Sequence, residues 1–413
     1  MGFLKFQTIC ILLLLNVLVS CKGESEPTIK VGILHSLSGT MAISETDVKN
    51  ATLLAIEEIN ANGGLLGRQI EPIVVDGKSD WGHFALMADS LISQAKVNVV
   101  FGCWTSASRR TVKPIFEKYN HLLFYPVQYE GVEQSPCIVY TGDAPNQQII
   151  PAVKWCFDRF GKRIFLVGSD YVFPHTANEI VKEQIKGLQG EIVGEEYIRL
   201  GSKEVEAAVE KIKQVQPNVI INTINGDTNV EFFKQLRAAG ITPDRIPTMS
   251  FSIAEVELQA MNLNEMVGDY ATWNYFQSIQ TSENKEFIKK YQNKYGANKV
   301  TDDPIEAGYF GVYLWAEAVK ESKSYLVADV KKNLAEISYK APEGLVYIDG
   351  NSQHTWKPVR IGQINNKGQF DIVWDSDRPV RPVPYPDYHT LNQWETFLKD
   401  LHTRWKGNWA NLN

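Results

Sequence analysis

The sequence predicts an α/β protein built as two lobes, each a doubly wound parallel sheet. Three observations carry that expectation. Short β-branched runs alternate with longer amphipathic stretches, the alternation starts again after Asn146, and the connections are short. Strand–helix units joined in this way require parallel sheets covered by helices on both faces. A chain of 413 residues is long enough for two domains that each bury a core.

Taken in order, the chain opens with Lys5 ahead of an apolar stretch, Ile9 to Val19, that is too short to span a bilayer and leads into Leu18-Val19-Ser20-Cys21. Residues 1–20 read as a signal peptide. The small-residue site resembles a lipobox, so Cys21 is the expected lipid-bearing residue, with 21–28 as a short tether. Ile29 to Leu34 is β-rich. Ser44 then reads as the cap of a helix whose apolar face holds Val48, Ala51, Ala55, Ile56 and Ile59 and which stops at Gly63-Gly64. Strands follow at Ile70–Asp76 and Val97–Phe101, with helices at Phe84–Gln94 and around Thr111–Tyr119. In the second half, strands are expected at Arg163–Gly168, Glu191–Tyr197 and Asn218–Thr223, with helices from about Pro174, Ser202 and Asp227.

Composition narrows the function classes. The net charge of -6 offers no basic patch for nucleic acid or anionic lipid. Besides Cys10 and Cys21 there are Cys103, Cys137 and Cys156, whose spacing suits neither a metal site nor a disulfide framework. Any membrane association is expected through Cys21 alone. The chain has no GxxxxGK[ST], GxGxxG, HExxH or GxSxG, and its seven histidines do not cluster with paired carboxylates. Catalysis, a metal and a cofactor are therefore not expected.

Ligands of open parallel sheets sit beyond the carboxyl ends of the strands, and the unusual residues lie there. After Val100-Phe101-Gly102 comes Cys103-Trp104-Thr105-Ser106, with hydroxyls and backbone N–H groups at a helix start that suit a carbonyl oxygen. Helix capping by Thr105 or Ser106 is the simpler role. The next strand end carries Tyr125, Gln128 and Tyr129, for which core packing competes with binding. In the second half, Tyr171 and Phe173 flank one strand end, and Asn225-Gly226-Asp227 another. Asp227 alone could be an N-cap. Four such clusters, two per lobe, outline a cleft.

These residues carry a family resemblance. Cys103-Trp104-Thr105-Ser106, Phe124-Tyr125-Pro126-Val127-Gln128-Tyr129-Glu130-Gly131, Gly142-Asp143-Ala144-Pro145-Asn146-Gln147-Gln148 and Gly168-Ser169-Asp170-Tyr171-Val172-Phe173-Pro174 resemble the urea ABC transporter substrate-binding proteins, within the type I periplasmic binding protein class. The likeness extends through Asn225-Gly226-Asp227 and Tyr275-Phe276-Gln277-Ser278, covering about Ile29 to Pro386. Amide-binding regulators resemble much of the same skeleton, and branched-chain amino-acid binders resemble it more distantly. The resemblance implies urea or a short amide between the lobes, with Trp104, Ser106 and Tyr125 on the first and Tyr171, Phe173, Asn225 and Asp227 on the second. It also implies permease subunits of an ABC importer as partners, and a periplasmic or cell-surface location. A sensor of short amides or branched-chain amino acids, presenting its closed form to a membrane receptor, is the alternative. Residues 29–143 with 277–345 form the implied first lobe and 144–276 with 346–377 the second, with a three-crossover hinge near 141–148, 249–252 or 272–276, and 344–348. A hairpin is expected between Trp356 and Trp374, turning at Asn365-Asn366-Lys367-Gly368. The tail, 378–413, has no assigned role.

Overall fold

The computed structural model describes residues 28–411, so the signal segment and Cys21 lie outside the described residues. Strand β1 (Ile29–His35) buries all but Lys30 and leads into helix α1 (Ala42–Ala61), whose Val48, Ala51, Ala55, Ile56 and Ile59 are buried as the pattern predicts. The helix starts earlier than its expected cap. Met41 holds the N-cap position, and Ser44 lies within the first turn, where its hydroxyl donates to Glu257 Oε1 at 2.7 Å. A carboxylate is a stronger acceptor partner than the helix's own backbone offers a hydroxyl.

Strand β2 (Ile70–Asp76), α2 (Trp81–Ser93), β3 (Val100–Gly102), α3 (Ser106–Lys118), β4 (Leu123–Tyr125) and β5 (Ile138–Tyr140) complete the first sheet. It is five-stranded and parallel, in the order β2-β1-β3-β4-β5. The second sheet begins with α4 (Ile149–Phe160), β6 (Arg163–Ser169), α5 (Val172–Gly187), β7 (Glu191–Ile198), α6 (Glu206–Val215) and β8 (Val219–Thr223). It continues through α7 (Thr228–Ala238), β9 (Thr248–Ser250), α8 (Glu255–Ala260) and β10 (Tyr270–Trp273).

The chain then returns to the first sheet with α9 (Ser282–Tyr295), α10 (Asp303–Ser322) and α11 (Val327–Lys332). Helix α10 lies against α1 so closely that a Cβ on Gly308 would stand 2.9 Å from Val48 Cγ1. Strands β11 (Ser338–Ala341), β12 (Gly344–Ile348) and β13 (Thr355–Trp356) form a small antiparallel sheet beside β5, where Tyr140 N–H donates to Gln353 O at 2.9 Å. Val346 and Ile348 join the first core. The last crossing therefore comes at 357–359, later than the Gly344–Ile348 expected, because the alternating residues of β12 are used within the small sheet. Strands β14 (Arg360–Ile364) and β15 (Phe370–Asp375) close the second sheet in the order β15-β14-β10-β9-β8-β6-β7, with these two antiparallel. Their hairpin turns at Asn365–Gly368, with Gly368 at φ 69°, a left-handed geometry that favours glycine. The tail has a place too. Helix α12 (Leu391–Arg404) sets Trp394, Leu398 and Leu401 into the core on one face of the second sheet.

Lys357, at the last crossing, is fully buried. Its Nζ donates to Thr141 O at 3.1 Å and to Asp143 Oδ1 at 3.4 Å, and lies 3.6 Å from Asp303 and 3.7 Å from Glu343. Burial works against its charge, but Asp303, Glu343 and Asp143 more than offset this and hold its pKa above the ordinary value. Its acidic neighbours outnumber it. Burial, with Asp303 close by, raises the pKa of Asp143, and burial pushes Glu343 up to about 7.

Candidate functional site

The first lobe builds its half of the cleft from the ends of β3 and β4. A Cβ at Gly102 would stand 2.1 Å from Leu34 O, and Cys103 turns the chain through φ 66°, so this loop is drawn tightly over β1. Thr105 caps α3, accepting from Ser108 N–H at 3.0 Å, and also receives Trp81 Nε1–H at 2.8 Å. The capping role thus belongs to Thr105. The Ser106 hydroxyl donates to Glu130 and receives Arg109 Nη1–H at 3.0 Å. Tyr125 donates its phenol to Trp104 O at 2.5 Å.

Beneath these residues lies an ionic cluster that sequence reading did not find. Arg109 Nε donates to Glu133 at 2.8 Å and Arg110 Nε to Glu130 at 3.2 Å, while the Arg109 guanidinium lies over the Tyr125 and Tyr129 rings at 4.8 and 4.4 Å. Burial opposes ionisation of Glu133, yet Arg109 and Arg110 pull its pKa down to about 2. Two guanidinium groups face two carboxylates, so the cluster neutralises itself. The pairing residues are twenty or more positions apart, and only the doublet Arg109-Arg110 beside a strand end could have hinted at it.

Gln128 reaches across the cleft. Its Nε2 donates to Phe251 O at 2.8 Å and to Ser252 Oγ at 3.3 Å, both just beyond β9 of the second lobe. With the amide nitrogen so held, Oε1 is buried and has no hydrogen-bond partner among the described residues. A buried acceptor left unpaired costs about 1–3 kcal/mol.

The second lobe contributes the ends of β6 and β8. Tyr171 is the N-cap residue of α5, and its ring lies 6.2 Å from that of Phe173. Burial, together with Tyr125 and Glu130 of the first lobe nearby, raises the Tyr171 phenol pKa. Asn225 N–H donates to Ser169 Oγ at 3.0 Å and its amide to Thr223 O at 3.1 Å. Gly226, at φ 68°, packs against the first lobe, where a Cβ would meet Thr40 Oγ1 at 3.3 Å.

Asp227 does not act as the side-chain cap that the sequence offered as one of its roles. It occupies the N-cap position of α7, but its side chain makes no cap bond and instead accepts from the Thr40 hydroxyl of the first lobe. It is exposed, at the cleft rim, while the other predicted ligand-binding residues are buried. The hydroxyl of the opposite lobe lies nearer to it than the helix N–H groups it was expected to cap. Thr40–Asp227, Ser44–Glu257 and Gln128–Phe251 together hold the lobes against each other.

Residues 29–391 match the family described as periplasmic binding protein domain. The chain is 21% identical over 346 residues to Leu/Ile/Val-binding protein homolog 6 of Brucella melitensis, covering 81% of this chain and 87% of the relative. A stretch of 117 residues is 33% identical to a limonene hydroxylase of Geobacillus stearothermophilus, but this is 28% of the chain and spans only 21% of that protein. Among solved structures, a solute binding protein of an ABC transporter from Rhodopseudomonas palustris, in complex with 3,4-dihydroxybenzoic acid, superposes with a TM-score of 0.77 at 21% identity, covering 86% of this chain and 99% of that one. A branched-chain amino acid transporter substrate binding protein from Streptococcus pneumoniae, in complex with isoleucine, gives 0.74 at 25% identity, over 86% of this chain and 100% of the other.

Proposed function

Since the chain belongs to the periplasmic binding protein domain family, we propose that it is an extracytoplasmic solute-binding lipoprotein that captures urea, or a closely related short-chain amide, and delivers it to the permease subunits of an ABC importer. The supporting observation is the Gln128 carbonyl oxygen, buried and unpaired between the lobes. Urea presents four N–H donors and one carbonyl on a flat frame, so it needs acceptors, a few donors and apolar plates. Gln128 Oε1 is such an acceptor. With Ser108 N–H taken by Thr105, the Ser106 and Ala107 N–H groups at the start of α3 suit the carbonyl, while Trp104, Tyr171 and Phe173 supply plates. Ser106, Tyr125 and Asn225 hold the walls of the cleft, and Gly226 with Asp227 its rim.

The charge pattern favours a neutral solute. Arg109 and Arg110 are already compensated by Glu130 and Glu133, leaving neither cation to meet the carboxylate of an acid ligand. The full burial of the walls favours a small one. Attachment through lipid on Cys21 remains part of this proposal, with no nucleic-acid role.

A branched-chain amino acid is the second reading, favoured by the Leu/Ile/Val-binding names of the relatives. Calorimetric titration of the purified protein with urea, acetamide, formamide and leucine separates the two. Tightest binding to urea supports the proposal. Tightest binding to leucine replaces it.

A further inference from the structure

We propose that Glu179, Glu183 and His389 form a binding site for a divalent transition-metal ion, with zinc the best fit to their chemistry, and that the ion clamps the tail to the second lobe. Glu179 and Glu183 stand four residues apart on α5, which puts both carboxylates on one face of the helix. His389 comes from the tail, two residues before α12. One ligand atom from each lies within 4.8 Å of the other two. The 210 positions between Glu179 and His389 hide this set from sequence reading. Both supports are anchored. Helix α5 sets Ala177, Ile180, Val181 and Ile185 into the second core, and α12 sets Trp394, Leu398 and Leu401 into the same one. The His389 ring stands edge to face against Trp394, 4.6 Å between centroids. Rigid elements therefore present all three side chains.

The spacing suits an ion better than a direct bond. His389 Nε2 and Glu179 Oε1 are 3.4 Å apart, long for a hydrogen bond. Zinc binds imidazole nitrogen and carboxylate oxygen at about 2.0–2.2 Å, so a tetrahedral shell sets neighbouring ligand atoms about 3.3–3.6 Å apart. These two atoms already have that separation. Glu183 supplies the third corner, and water the fourth. Two carboxylates and a neutral imidazole balance the charge of the ion, whereas calcium and magnesium call for larger shells of oxygen. Lysines compete for the glutamates. Lys182 Nζ lies 2.9 Å from Glu179 Oε2, and Lys186 Nζ 3.5 Å from Glu183 Oε2. Such solvent-facing ion pairs are weak, and Lys182 keeps a second acid, Glu195, at 3.4 Å, so a doubly charged ion displaces them. His389 and both glutamates are half-buried, within reach of an ion from solvent.

The test titrates untagged, EDTA-treated protein with zinc chloride by calorimetry, in a buffer that does not bind zinc and without added solute. One saturable site is expected, and saturating zinc should raise the melting temperature while calcium leaves it unchanged. His389→Phe keeps a ring against Trp394 but removes the nitrogen, and Glu183→Gln keeps the shape but removes the charge. Each should weaken zinc binding at least about tenfold, since each takes away one of three protein ligands. Lys182→Ala removes a competitor and should tighten binding by up to about fivefold, the worth of one exposed ion pair. Absence of saturable binding, or equal binding in the intact protein and both ligand variants, overturns the site. Binding that leaves the melting temperature unchanged overturns the clamp. Circular dichroism identifies a ligand variant that has lost its fold. In that case Lys182→Ala decides, and unchanged or weaker zinc binding there overturns the site.

Discussion

Asp227 is bonded to Thr40 across the cleft, so its substitution should act on closure. Thr40→Ala and Asp227→Ala are each expected to weaken urea binding about three- to tenfold, the worth of one ordinary hydrogen bond. The double variant should be no worse than the poorer single, because both remove the same contact. Additive losses in calorimetry would show that the two residues act separately. Melting temperature should stay nearly constant for Asp227→Ala, since no helix cap is lost. A larger effect is expected at Arg109. Arg109→Met strands Glu130 and Glu133 in the core, and breaking a buried ionic set by removing one partner costs about 3–5 kcal/mol of stability. Guanidinium unfolding reads this without adding urea, the proposed ligand. At this scale the sequence was least legible. It located Thr105, Ser106, Gln128 and Tyr171 at strand ends, but whether a hydroxyl faces a ligand, a helix N–H or a distant carboxylate depends on partners such as Glu130, which only folding brings near.

The strand–helix units were far more legible, because burial imposes its period directly on residues such as Val48, Ala51, Ala55 and Ile59. What failed was placement where elements compete for one signal, as at β12, whose alternation suits either sheet. The hinge acids were invisible for another reason, being scattered through separate crossings. They predict a pH dependence. Burial pushes Glu343 from 4.5 to about 7, against Lys357 and Arg360 and reinforced by Asp303. Burial likewise pushes Glu255 to about 8, with Glu257 and Asp303 adding to the rise. A carboxyl with a raised native pKa binds more protons folded than unfolded, so its contribution is fully present below about pH 4.5 and is lost as pH rises through about 7 to 8. Stability should therefore fall across that window, by up to about 1.4 kcal/mol per pH unit for each such group. Glu343→Gln and Glu255→Gln should each flatten the fall in melting temperature between pH 5 and 8. An unchanged slope in both would assign the pH dependence elsewhere.

As a whole, the molecule has its lobes in contact through Ser44 and Glu257 as well as Thr40 and Asp227. Small-angle scattering should give a larger radius of gyration without ligand than with saturating urea, since ligand contacts to both lobes favour the closed form. An equal radius, with binding verified in the same sample, would rule out a hinge motion of that kind. Cys21→Ser should move the protein from the membrane to the soluble fraction with its affinity for urea intact. Retention on membranes after a salt wash would rule out the lipid. The Ser44–Glu257 contact has a calorimetric consequence. Burial raises the pKa of Glu257 in the closed molecule, although Ser44 and the Ala254 N–H work the other way, and separating the lobes would return this carboxyl to water. At a pH between the carboxyl's ordinary value and its raised value in the closed form, closing then draws a proton from the buffer. The heat of urea binding should differ between phosphate and Tris in proportion to their ionisation enthalpies, and Glu257→Gln should make the two heats agree.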